Sequence, residues 1–221
     1  MYKHIIWDWN GTLLNDVDLS LTAINIVLKR YNLPALERAR YLEIFTFPVI
    51  EYYHKLGFDF NQTPFSIIGT EFITEYTARM LQVDLHEGAE KFLKIVNDCG
   101  LTQSMLSAAK VPMLETLTNH HNLSHYFIRL VGLDNHYASS KLEVGRDWIR
   151  ELPYKTNEIL YIGDTEHDID VARELGVDIV LLALGHTSYE RLVKSGKRIF
   201  MDFSELTRWF VNQRNNSVAS G

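Results

Sequence analysis

Short apolar runs punctuate the chain, each followed by a turn and then a longer stretch of helical spacing. The runs are Ile5-Ile6-Trp7, Leu101 to Leu106, Ile128 to Val131, Ile159 to Ile162 and Ile179 to Leu184. Bounded by turns and this short, they read as buried strands. Between them Phe92, Leu93, Ile95 and Val96 share one helical face, as do Val171, Ala172 and Leu175. Strands alternating with helices in this way predict an α/β core, a doubly wound (Rossmann-like) parallel sheet with helices on both faces. Ligands of such sheets bind outside the carboxyl ends of the strands. The residues that follow each run are therefore the first place to look for chemistry.

The alternation fails over one long stretch. From Asp16 to Gln82 the spacing is helical throughout, with a helix over Asp18 to Tyr31 ended by Asn32-Leu33-Pro34. Further helices are predicted near 35–45, 48–56 and 64–81, punctuated by Pro48, Gly57 and Pro64. The expected organisation is a core over 1–15 and 83–211, a helical cap inserted over 16–82, and a polar, flexible tail over 212–221. The cap is rich in rings (Phe45, Phe47, Tyr52, Tyr53, Phe58, Phe60, Phe65), expected to serve as its own core rather than as a pocket.

Composition narrows the functional classes. With 22 Lys and Arg against 28 Asp and Glu, the net charge is −6, which gives no footing for nucleic acid or an anionic membrane as partner. No window reaches the ~18 apolar residues of a membrane span and no signal-peptide pattern opens the chain, so a cytoplasmic location is expected. The single cysteine, Cys99, excludes an internal disulfide and reads as a small packed side chain.

The first strand run delivers Asp8, in Trp7-Asp8-Trp9-Asn10-Gly11-Thr12-Leu13-Leu14, to its carboxyl end. The fourth ends in Gly163-Asp164-Thr165-Glu166-His167-Asp168. Thr165 or Asp164 could simply cap a helix there, with Asp168 complementing its dipole. Yet three acids on neighbouring strand ends, with no Cys or paired His among them, suit a hard cation such as Mg²⁺ better than zinc. Ser107 follows the second run, and Ser139-Ser140-Lys141 follows the third. Alone, each reads as a turn or a solvated helix.

Taken in order, these pieces resemble the four motifs of the haloacid dehalogenase superfamily, and most closely its phosphoglycolate-phosphatase-like branch with a helical cap. Asp8 to Leu13 is similar to the first motif, Ser107 to the second and Lys141 to the third. Gly163 to Asp168, followed by Val171-Ala172-Arg173-Glu174-Leu175-Gly176, is similar to the fourth. The resemblance implies a phosphatase for a small phosphorylated metabolite, with Asp8 as the nucleophile that forms an aspartyl-phosphate. It implies Mg²⁺ held by Asp8, Asp164, the Asn10 carbonyl and Asp168. Ser107, Lys141 and the backbone amides around Trp9 and Gly11 are expected to receive the phosphoryl oxygens.

One position departs from the pattern. Where Asn10 stands, phosphatases of this family carry an Asp that acts as general acid and base. An amide cannot carry that proton, and general acid–base catalysis is worth roughly 10²–10⁴ in rate. Turnover is therefore expected to be slow or limited to good leaving groups, unless His167 or Asp16 substitutes. The alternative is an impaired, phosphate-binding or regulatory protein. A phosphonate-cleaving chemistry needs a cap lysine, for which Lys55 is a poor positional match.

Overall fold

β1 (His4–Trp7), β2 (Thr102–Lys110), β3 (Arg129–Leu133), β4 (Ile159–Gly163), β5 (Asp178–Leu182) and β6 (Arg198–Phe200) make one parallel sheet, ordered β3-β2-β1-β4-β5-β6. A computed structural model of the chain describes residues 1–133 and 141–219, so Ser139 and Ser140 lie outside the described residues. Strand order reverses direction at β1, and a crevice opens at the carboxyl ends where it does so. Two strands depart from expectation. β6 is only three residues long on the sheet edge, too short for an apolar period to show. β2 continues past Leu106 to Lys110, with its register to β3 shifting between those residues.

Side chains alternate across the sheet as a two-residue period requires. Ile5, Trp7, Met105, Leu160 and Ile162 pack on one face with Phe92 and Leu93 of α5 (Ala89–Asp98), Leu114 of α6 (Val111–His120) and Phe203 and Phe210 of α10 (Phe203–Ala219). Ile6, Leu106, Tyr161 and Leu181 pack on the other with Trp148 of α7 (Lys141–Glu151) and Val171, Ala172 and Leu175 of α8 (Glu166–Leu175). Helix α10 continues through residues 212–219.

Residues 16–82 contain no strand among the described residues. They fold as α1 (Val17–Arg30), α2 (Arg38–Ile44), α3 (Val49–Lys55) and α4 (Phe65–Thr77), followed by a single 3₁₀ turn. Val17, Ile24, Val27, Tyr41, Tyr53 and Ile68 give this bundle a core of its own. Phe45, Tyr52, Tyr53, Phe58, Phe60 and Phe65 belong to that core, and Phe45, Phe47, Tyr52 and Tyr53 border a cavity that reaches Asp8. The chain enters and leaves the bundle along one path. Asn15 N donates to Asp84 O (3.0 Å) and His86 N to Leu13 O (2.9 Å).

The bundle sits closed on the core. Arg191, on the short helix α9 (Tyr189–Leu192), donates to Leu42 O and Phe45 O at 3.0 and 2.8 Å and pairs with Glu166. His167 stacks on Phe47 with ring centroids 4.6 Å apart. No helix among the described residues is long and apolar enough to cross a membrane.

Candidate active site

Strand register brings the acids together. Trp7 pairs with Met105 on one side and Ile162 on the other, so Asp8 and Asp164, just past their strands, and Ser107, within β2, lie within one residue step of the same level. The Asp8 N–H continues the ladder to Ile162 O at 2.9 Å. Asp8, Asp164 and Asp168 are all buried, each offering an oxygen within 4.8 Å of the others. Lys141, at the start of α7, donates to Asp8 Oδ1 (2.6 Å) and Asp168 Oδ1 (2.7 Å) and lies 5.4 Å from the centroid of the Tyr161 ring.

The glycines of these loops are dictated by crowding. A Cβ on Gly163 would overlap the Asp168 carboxylate, and one on Gly185 would overlap that of Asp164. Gly11, at φ +73°, combines a left-handed backbone with the same closeness to Asp164. Thr165 does cap α8, receiving the Asp168 N–H at 3.2 Å, so the structural reading of this motif holds as far as it goes.

Asp168 does more than cap. Its Oδ2 accepts from Asp164 N (3.2 Å), Thr165 N (3.0 Å) and Thr165 Oγ1 (2.7 Å), and its Oδ1 from Lys141 and from Tyr161 Oη (3.1 Å). A carboxylate has about four lone-pair sites, and five donors fill them. Asp168 therefore holds Lys141 and the loop, and it still offers an oxygen within 4.8 Å of those offered by Asp8 and Asp164. Asp164 is less committed, accepting from Thr12 Oγ1 at 2.8 Å and His186 N at 2.7 Å.

The charges do not balance by themselves. Burial pushes Asp8 well above its ordinary pKa, with Asp168 and Asp164 adding repulsion against the attraction of Lys141. Burial likewise pushes Asp164 to about 6, against the pull of His186. Asp168 is held below its usual range despite burial, by the charge and hydrogen bond of Lys141. Three carboxylates facing one ammonium leave an excess of two negative charges in a dry site, which a divalent cation neutralises. Oxygen donors alone, with Asp8 and Asp164 incompletely saturated, fit such a hard ion.

Asn10 is the centre of a second buried network. Its Nδ2 donates both hydrogens, to Asp16 Oδ2 (2.7 Å) and to Tyr76 Oη (2.8 Å). Tyr76 in turn donates to Asp16 Oδ2 (2.8 Å), while Asp16 Oδ1 accepts from Gly11 N (2.7 Å) and His186 Nε2 (3.2 Å). Burial alone would raise Asp16, but His186, Asn10 and Tyr76 together hold it below its ordinary value. His186 is lifted to about 9 by Asp16, against the opposing effect of burial, so it is an imidazolium and its Nδ1 donates to Tyr41 Oη at 2.7 Å.

The Gly11 amide donates to Asp16 Oδ1 (2.7 Å) and to Leu14 O (3.0 Å). Trp9 contributes its carbonyl, which closes the turn by accepting from Leu13 N and Leu14 N, both at 3.0 Å. His167, offered as a substitute proton carrier, stacks on Phe47, and Lys55 reaches the surface with its Nζ 3.5 Å from Ile44 O. Ser107 does line the cavity and accepts from Ala109 N at 3.1 Å.

Sequence reasoning passed over His186, Tyr41, Tyr76 and Tyr161. His186 lay within reach, because it follows the fifth strand run as Asp164 follows the fourth. Tyr41 and Tyr76 carried no signal, since helical spacing does not say which ring turns toward the sheet, and Tyr161 lay inside an apolar strand run.

These motifs and this topology are those of one family. A family model described as haloacid dehalogenase-like hydrolase matches residues 5–182, and the chain belongs to that family. The fold is similar to that of a predicted phosphatase from Clostridium acetobutylicum (TM-score 0.83, 19% identity, covering 96% of this chain and 99% of that one). It is similar to a predicted phosphoglycolate phosphatase from Haemophilus somnus (TM-score 0.78, 18% identity, 95% and 98% covered). It is also similar to CbbY from Rhodobacter sphaeroides, solved in complex with phosphate (TM-score 0.74, 19% identity, 93% and 96% covered). No curated protein matches the chain by sequence.

Proposed function

We propose that this protein is a Mg²⁺-dependent phosphohydrolase for a small phosphorylated metabolite, slow or restricted to good leaving groups. The observation that carries the reading is the buried Asp8 carboxylate, held by Lys141 in a site with two negative charges in excess. The phosphate bound to the similarly folded CbbY supports the same substrate chemistry.

Asp8, Asp164 and the backbone carbonyl of Asn10 would hold the ion, with Asp168 acting through Lys141 or a water. Mg²⁺, when bound, supplies the positive charge that lets a carboxylate approach a phosphate dianion. Lys141 and Ser107 bind and orient the phosphoryl oxygens. An Asp8 oxygen attacks phosphorus, a phosphorus–oxygen bond forms, and the bond to the leaving oxygen breaks. In the second step water attacks, the Asp8–phosphorus bond breaks, and the carboxylate is regenerated with loss of the water's proton.

Neither proton transfer has a carrier at position 10. Both Asn10 amide hydrogens are engaged by Asp16 and Tyr76, and Asp16 is saturated with donors of its own. The leaving group thus departs as its anion, which favours phenols, acyl groups and phosphoanhydrides over simple alcohols. That same arrangement is what favours the second reading, a phosphate-ligand binder without turnover.

The test is release of phosphate from an activated aryl phosphate in Mg²⁺, by the protein and by Asp8→Asn, with mass spectrometry confirming that residue 10 is still Asn. Turnover lost in Asp8→Asn and in chelator supports the hydrolase. Turnover that survives Asp8→Asn would overturn the nucleophile. No turnover, with phosphate still bound in the presence of Mg²⁺, selects the binder.

A further inference from the structure

The space above the phosphoryl site has a chemical character of its own. A cavity of about 190 Å³ runs from Asp8, Ser107 and Lys141 up to the helical bundle. It adjoins a second of about 590 Å³, with which it shares Phe47, Val49, Tyr53, Phe72, Ile73 and Lys141. The floor and the roof are made differently. Every basic side chain that borders either cavity, among the described residues, comes from the core: Lys110, Lys141, His167 and His186.

The bundle contributes mostly rings and aliphatic side chains, with Asp16, Ser20 and Thr70, and no basic residue. Its arginines Arg38 and Arg40 pair with Asp18 and Glu43 on the outer surface. A carboxylate or second phosphate placed against the bundle side, away from Lys110 and Lys141, would lose its water without a basic side chain beside it, which is unfavourable. An apolar ring placed there gains burial and edge or face contacts with the rings around it.

Tyr52 is buried and borders the smaller cavity through its ring.

We propose that the substrate is a phosphate monoester of a neutral, ring-sized apolar alcohol or phenol. The inference rests on the hydrolase reading above for the position of the phosphate. The phenolic members of the class also meet the demand that Asn10 places on the leaving group, since a phenoxide departs without an acid.

Calorimetry on the wild-type protein in Mg²⁺ tests this with three inert phosphonates: benzylphosphonate, 2-hydroxyethylphosphonate and phosphonoacetate. Benzylphosphonate should bind at least about tenfold more tightly than the other two, the scale of a few apolar carbons in a fitted pocket. In Ile73→Lys, a half-buried position on α4, the order should reverse toward phosphonoacetate, while Ile73→Leu should keep it. Equal or tighter binding of phosphonoacetate by the wild type would overturn the proposal, as would failure of all three to bind.

Phosphate release from phenyl phosphate and carboxymethyl phosphate is followed in parallel and separates the two readings. The expected ranking of phosphonates without cleavage of either ester upholds the pocket and overturns the hydrolase. Faster cleavage of carboxymethyl phosphate does the reverse.

Discussion

Replacing Asn10 by Asp is the natural attempt to restore the missing proton carrier, and the structure dictates what it does first. The Asn10 amide donates to Asp16 Oδ2 at 2.7 Å inside a buried network. A hydrogen bond to a buried carboxylate is worth about 1.5–3 kcal/mol. In Asn10→Asp that donor becomes an acceptor facing another carboxylate. Two unit charges about 4 Å apart repel by about 4 kcal/mol at an effective dielectric of 20. The imidazolium of His186 already serves Asp16 and offsets only part of this. Asn10→Asp should therefore unfold with a loss of about 3–5 kcal/mol at pH 8.

The pair escapes by binding one proton, so its apparent pKa lies above the ordinary carboxylate range. The folded state then holds more protons than the unfolded one, and the loss is relieved as pH falls. Urea unfolding at pH 8 and pH 5.5 reads this directly, with Asn10→Ala as the control that loses the hydrogen bond without gaining the pH dependence. Asn10→Asp/Asp16→Asn restores donor to acceptor and should recover part of the stability. A single variant with the wild-type midpoint at both pH values would refute the reasoning. Where the pair retains its proton it becomes the carrier the wild type lacks, so gained turnover should follow the same titration.

Two further outcomes follow from other buried groups. Burial pushes Asp164 up to about 6, so an ion held there competes with a proton. Stabilisation by Mg²⁺, read as a rise in Tm, should be small at pH 5, grow through pH 6 and be complete by pH 7.5; an equal rise at all three would sink the assignment, and Asp164→Asn should lose it. His4, fully buried between Thr102 Oγ1 (2.7 Å) and Ser104 Oγ (2.8 Å), is lowered by burial to about 4. Its unfolded form takes up a proton first as pH falls, so stability is intact above about 6.5 and declines toward about 4 by roughly 3 kcal/mol, at 1.36 kcal/mol per unit. His4→Phe should flatten the dependence of the unfolding free energy on pH across that window, and an unchanged slope would assign the loss to other groups.

How much could be read beforehand depended on whether a residue's role was local. Asp8, Ser107 and Asp164 follow apolar runs whose carboxyl ends a parallel sheet must align, so position along the chain was enough to bring them together. The bundle was equally plain, because four helical periods with no strand between them leave few alternatives. What stayed hidden was pairing across distance. Tyr41 meets His186, and Tyr76 meets Asn10 and Asp16, through a closure between two units whose faces no periodicity identifies. The commitment of the Gly11 amide to Asp16, and the saturation of Asp168, are also three-dimensional facts. Motif letters say which atoms a residue owns, and not which of them are already spoken for.

Asp16 stands at the junction where the chain leaves the Asp8 loop and enters α1, and it is bonded to both sides of the molecule. Its oxygens hold Gly11 and Asn10 of the loop, His186 of the core and Tyr76 of the bundle. The pivot and the reacting loop therefore share one carboxylate. Lifting Tyr41 off the sheet would break its bond to His186, and any shift of Asp16 with the bundle would pull on Gly11 and Asn10 of the loop that carries the nucleophile.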